Sequence, residues 1–172
     1  MGVTKGKWGT LVNALLNFKN DYDANSPLVD VLPELVAAHP ERYRGMGLRD
    51  LADEMFEQMK RSDQLTLQAR AFSHLPQLVL TPNHTYQRLV HDEVEQVSLE
   101  AMANRVVASG VVPYPPGIPL LMPGESAGPA DGMYLSYLRA LQAWDRLFPG
   151  FEHENHGVEN IDGTYFVYCL KV

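Results

Sequence analysis

One cysteine, Cys169, stands among the 172 residues. A single thiol excludes an internal disulfide framework and fits a reducing compartment. Long apolar runs are also missing. Nowhere do about 18 apolar residues follow one another, the length a membrane-crossing helix requires. Residues 1–10 are polar and carry Lys5, Lys7 and Trp8, without the apolar stretch of a secretory signal. The sequence has no basic excess either: 14 Lys and Arg face 21 Asp and Glu, a formal charge of −7. A nucleic-acid binder shows the reverse balance, and its aromatics interleave with Lys and Arg, as these do not. There is no internal repeat and no low-complexity tract. What is there, 45% apolar residues, suffices for a core in one domain, or in one domain with a short lead-in.

The front half reads as helices. Trp8, Leu11, Val12, Leu15, Leu16 and Tyr22 recur at helical spacing up to a stop over Asp21–Asn25. Ser26-Pro27 offers an N-cap with Pro at the first helical position, and Pro33 divides the next helix, which runs to about Ala38. His39-Pro40 is a stop. Gly45 and Gly47 flank a turn before a stripe of Leu48, Leu51, Ala52, Met55 and Met59, which Leu65, Ala69 and Phe72 continue to about His74. Past Pro76 the character changes. Gln77–Leu80 is a short β-rich run, Thr81-Pro82 opens a helix through Val90, and Val94–Val97 reads as a strand. Ser98 is expected to cap a helix over Leu99–Ala108.

Five prolines between Val111 and Glu125 exclude a helix and a regular central strand there, so this stretch is expected to be rigid, extended and beside a sheet edge. Asp131–Phe148 is the clearest helix, ended by Pro149-Gly150. Asp162-Gly163 signals a type I′ hairpin turn. Beyond it Tyr165, Val167 and Cys169 alternate with Phe166, Tyr168 and Leu170, so the last strand is expected to be buried on both faces or to lie at an interface. The fold class is α+β: a helical N-terminal half, then a small mixed sheet with packed helices and a C-terminal β-hairpin.

Few side chains point to chemistry. In Glu152-His153-Glu154-Asn155-His156 the two histidines fall on opposite faces of a strand and cannot share an ion, so no metal site is expected. Cys169 beside apolar neighbours reads as a core residue. Gly6-Lys7-Trp8-Gly9-Thr10 lacks the spacing of a phosphate loop. Glu125, following the stiff proline segment, is either a fixed carboxylate able to attract a cation or a cap for the turn at 126–128. Protonating all six histidines would take the charge from −7 to about −1, so self-repulsion fades on acidification and self-association at low pH is a further expectation.

The segment Pro113-Tyr114-Pro115-Pro116-Gly117-Ile118-Pro119-Leu120-Leu121-Met122-Pro123-Gly124-Glu125 resembles the motif near the C-terminus of the bacterial ornithine/lysine/arginine decarboxylases, the inducible pyridoxal-phosphate (PLP) group. Thr81-Pro82, Val94-Glu95, Pro149-Gly150-Phe151, Gly157 and Asp162-Gly163 agree in order. Gly6–Leu11, Asp21–Asn25 and Phe151–Glu154 resemble the biodegradative arginine decarboxylases most.

The resemblance implies residues 1–25 as a lead-in helix from upstream domains and 26–172 as the C-terminal domain. It implies a cytoplasmic acid-resistance enzyme that converts arginine to agmatine and carbon dioxide. PLP is its electron sink, held in another domain. The implied partners are that PLP-binding domain and neighbouring subunits, as dimers or rings of five dimers. The family's Schiff-base lysine follows a histidine, and no lysine here does. No catalytic and no cofactor-binding residue is therefore carried over, and the chain alone is expected to be inactive. Tyr114, Gly117 and Glu125 are the expected substrate-channel or interface residues. Lysine and ornithine decarboxylases share the motif, and a stand-alone regulatory module is the alternative reading.

Overall fold

The computed structural model describes residues 5–172, so residues 1–4 of the expected lead-in lie outside the described residues. The chain divides into two compact units, Met1–Gln58 and Met59–Val172.

The first unit is helical: α1 (Lys5–Ala24), α2 (Leu28–Val31), α3 (Pro33–Ala38), α4 (Pro40–Tyr43) and α5 (Leu48–Arg61), which runs across the division. Pro33 and Pro40 each begin a helix, where a missing N–H costs nothing. α1 stops at Asn25, whose φ is +51°. The Asn25 amide oxygen then accepts from the backbone N–H groups of Arg49 and Asp50 (3.0 and 3.3 Å) and caps α5. A side chain at Gly47 would collide with Asn25, its Cβ falling 2.1 Å from the amide oxygen. Hydrogen bonds from Asn25 and the Gly47 amide hold the Asp50 carboxyl below its ordinary range. Pro27, expected inside α2, takes the N-cap position, and the Ser26 hydroxyl donates to Asp21 instead (2.9 Å). Leu28, Val36, Tyr43 and Leu51 are buried.

The second unit holds α6 (Gln64–Ala71), α7 (Pro82–Val90), β1 (Val94–Ser98), β2 (Val112–Tyr114), α8 (Met133–Leu147), β3 (Glu154–His156), β4 (Val158–Ile161) and β5 (Thr164–Leu170). The α+β class stands. The sheet expected as mixed is two antiparallel ones, ordered β1-β5-β4 and β2-β3. Asp162 and Gly163 have φ of +50° and +76°, as the hairpin turn requires, and they make β5 the central strand. Its Tyr165, Val167 and Cys169 enter a core with Leu135, Leu138 and Leu141 of α8. The opposite face of β5 is not fully covered: Phe166 is half-buried and Tyr168 is 39% exposed.

Thr81 caps α7 as its sequence suggests, its hydroxyl accepting from the His84 N–H. The helix expected over Leu99–Ala108 is one 3₁₀ turn, Leu99–Ala101. Beyond it Val106 and Val107 pair with Ser126 and Cys169, a use of β-branched residues that outweighs the helical spacing. The β-rich run at Gln77–Leu80 reduces to a bridge from Leu78 to Glu125, with the Val79 and Leu80 amides both donating to the Gly124 carbonyl.

Candidate functional site

The proline segment folds back on itself. The Val111 N–H donates to the Leu121 carbonyl (2.9 Å), and the Leu120 N–H donates to the Val111 carbonyl (2.8 Å). The base of this loop is buried at Val111, Pro113, Leu120 and Leu121, and its tip, 114–119, is exposed. The expectation of an extended edge segment holds for Val112–Tyr114, which pair as β2 with β3. At the tip the Gly117 N–H donates to the Pro113 carbonyl (2.9 Å). Gly117 has φ +76°, and a Cβ there would lie 2.8 Å from Tyr114 Cδ2. The Tyr114 ring therefore needs a glycine beneath it.

Glu125 belongs to a different turn. Its carboxylate accepts from the Met122 N–H (2.7 Å), and its own N–H donates to the Met122 carbonyl (3.0 Å). It braces the turn that precedes it. The turn at 126–128 is closed by Ser126, whose hydroxyl accepts from the Gly128 N–H (3.2 Å). The structure thus brings Tyr114 and Gly117 together and commits Glu125 to a local brace.

A second constellation escaped the sequence reading. Asp145, in the last turn of α8, is only 5% exposed. One carboxylate oxygen accepts from the His153 backbone N–H (2.9 Å) and from His153 Nδ1 (2.8 Å); the other accepts from the Tyr165 hydroxyl. That hydroxyl accepts in turn from Asn155 Nδ2 (2.9 Å), and the Tyr165 N–H donates to Gln142 Oε1 (2.7 Å). A buried carboxylate is tolerated only when fully hydrogen-bonded, and three donors meet that need without a Lys or Arg. Burial, and next the Asp145 bond, raise the Tyr165 phenol far above its ordinary value. The available signal was an acid on the buried stripe of α8, at seven residues from Leu138 and four from Leu141.

His153 and His156 are sent apart, as their spacing suggests: His153 is held on Asp145, and His156 stands exposed beside Glu154. Cys169 is buried, and burial pushes its thiol up to about 11, which leaves it inert as a nucleophile.

PLP needs a desolvated lysine and an anion cradle, and the residues described here do not form that pair. Lys7, Lys19 and Lys60 are exposed, and Lys171 donates to the Asp92 carbonyl (2.6 Å). The cationic hollow of about 260 Å³ beside Lys171 has Arg88 paired with Glu93 and Arg105 paired with Glu95.

A family model described as "Orn/Lys/Arg decarboxylase, C-terminal domain" matches residues 65–171. The biodegradative arginine decarboxylase of Escherichia coli K12 is 51% identical over 171 residues, covering 99% of this chain and 23% of that protein. The lysine decarboxylase LdcA of Pseudomonas aeruginosa is 45% identical over 175 residues, again 99% and 23%. The solved structure of the E. coli constitutive lysine decarboxylase superposes with a TM-score of 0.91 at 39% identity, covering 99% of this chain and 24% of the other. The chain therefore spans about a quarter of the length of the relatives it matches. With the proline motif, the fold and these matches in agreement, the chain belongs to the family of Orn/Lys/Arg decarboxylase C-terminal domains.

Proposed function

We propose that this chain serves as the C-terminal domain of a PLP-dependent arginine decarboxylase, a cytoplasmic enzyme that forms agmatine and carbon dioxide and consumes a proton in acid resistance. The observation that carries the choice of arginine is the 51% identity over the whole chain to the biodegradative arginine decarboxylase, against 45% and 39% to lysine decarboxylases. The domain contributes packing, subunit contacts and part of the substrate entrance, and the cofactor and its lysine reside in the rest of the enzyme. In this reading residues 1–25 lead in from upstream domains and 26–172 are the domain proper. The exposed Trp8, Leu11 and Leu15 of α1 support the lead-in, since such a stripe suits burial against another domain or subunit of a dimer or decamer. The exposed tip with Tyr114 over Gly117 supports an entrance or interface role for both, and Glu125 fixes the base turn behind them.

The test exchanges this sequence for the corresponding domain of the E. coli arginine decarboxylase. Retained carbon dioxide release from arginine, with little from lysine or ornithine, is expected. A folded hybrid without arginine turnover overturns the reading. The purified chain alone, given PLP and arginine, is expected to release no carbon dioxide; release above the blank equally overturns it.

A further inference from the structure

We propose that Asp145 is a positioning residue for the proline loop, acting through Tyr165, Asn155 and His153. β2, which leads into Tyr114, is held by only three paired positions with β3, and in the middle one Pro113 faces Asn155. Proline has no N–H to give, so Pro113 and Asn155 form the non-hydrogen-bonded pair, and the backbone bonds of this short ladder lie only at the two flanking pairs. A two-stranded ribbon of this size is marginal by itself in water. Nor is it part of the larger sheet, whose strands are β1, β5 and β4.

The Val111–Leu121 bonds hold the β2 side of the ribbon at its base, and the buried carboxylate holds the β3 side. Asn155, the β3 partner of Pro113, donates from its side chain to the Tyr165 hydroxyl, and that hydroxyl donates to Asp145. The residue that enters β3, His153, is held on Asp145 by both its backbone N–H and its ring. Two of the attachments of β3 thus converge on one side chain of α8. Tyr165 is itself fixed to α8 at a second point, through its N–H and Gln142. Gly157 closes the far end of β3 so tightly against Gly110 that a Cβ would lie 1.9 Å from the Gly110 carbonyl oxygen. α8 is a long buried helix of the core, so the carboxylate is a rigid reference from which β3, then β2, then the Tyr114–Gly117 tip are located.

The consequence for turnover rests on the proposed reading of the tip as part of the substrate entrance; the positioning itself does not. Hydrogen exchange on the purified chain tests the positioning. In Asn155→Ala, which cuts only the link from β3, the amides of Val112, Tyr114 and 154–156 are expected to exchange about tenfold faster, the size a lost hydrogen bond produces. Those of β1 and β5 are expected to stay within about twofold, since their ladders are untouched. Tyr165→Phe, which keeps the ring, is expected to give the same local pattern. Unchanged exchange in both variants, or a uniform rise through β1 and β5, overturns the proposal. In the decarboxylase carrying this domain, Asn155→Ala is expected to raise KM for arginine several-fold at nearly constant kcat. Local loosening with KM unmoved keeps the positioning and removes the entrance reading; no local loosening removes the positioning whatever KM does.

Discussion

α1 and α8 are the two longest helices described, and both carry leucine and aromatic side chains at helical spacing. α8 buries eight of its 15 residues, among them Leu138 at 0% exposure. None of residues 6–24 of α1 is buried: Trp8 is 57% exposed and Leu15 60%. The periodicity that identifies a helix therefore does not say what covers it. α8 meets β5 in the same unit; within the first unit no described residue covers the stripe of α1. Apolar area contributes to folding only where it leaves water, so the same residue types stabilise one helix and remain available for association in the other.

The sharpest test is a pair of truncations. Leu138→Ala is expected to cost about 2–5 kcal/mol, whereas Leu15→Ala stays within about 0.5 kcal/mol in the isolated chain. Denaturant melts measure both, and a large loss at Leu15 would mean that α1 is covered. A glycine of the second unit adds a backbone test. Gly157 has φ +78° and no room for a methyl group, so Gly157→Ala is expected to cost about 3 kcal/mol.

Alkaline pH separates the helices by the groups around them. The Cys169 thiol of the α8 core has an ordinary value of 9.0 and is pushed up to about 11 by burial. The unfolded chain loses this proton first, so the stabilisation is complete below pH 9 and falls as pH rises toward 11. The loss is expected to be on the order of 2 kcal/mol. Tyr165, shifted the same way, adds to the decline from about its ordinary value of 10.0 upward. Melts across pH 8–11 should show this slope, and Cys169→Ala should make it shallower, leaving the part due to Tyr165.

The smaller effects lie on α1. Gly9 has nothing within 4 Å of an added Cβ, so Gly9→Ala is expected to raise helicity and stabilise by about 0.5–1 kcal/mol, read by circular dichroism. Lys19 forms an exposed pair with Asp23 one turn on, and Lys19→Ala is expected to change stability by less than about 0.5 kcal/mol.

Local rules located much of the architecture. Pro33, Pro40 and Thr81-Pro82 begin helices where proline geometry says they should, and Asp162-Gly163 turns the hairpin. They failed where a distant partner decided. Ser98 was followed by one turn of helix, because Val106 and Val107 found strand partners some 20 and 62 residues away in Ser126 and Cys169. The proline motif was legible as a unit because so few backbones can hold five prolines. The commitment of Glu125 to Met122 was not, because the reach of a flexible side chain is set by the fold around it.

By itself the sequence determined most of the helices, the hairpin turn, the α+β class and, through the proline motif, the family, since these rest on backbone restriction and periodicity within a few residues. Only the tertiary structure decided which helix would be covered, where β3 would be tied, and that Asp145, His153, Asn155 and Tyr165 would meet. Burial and hydrogen-bond satisfaction join residues far apart in the chain, and no local pattern records them.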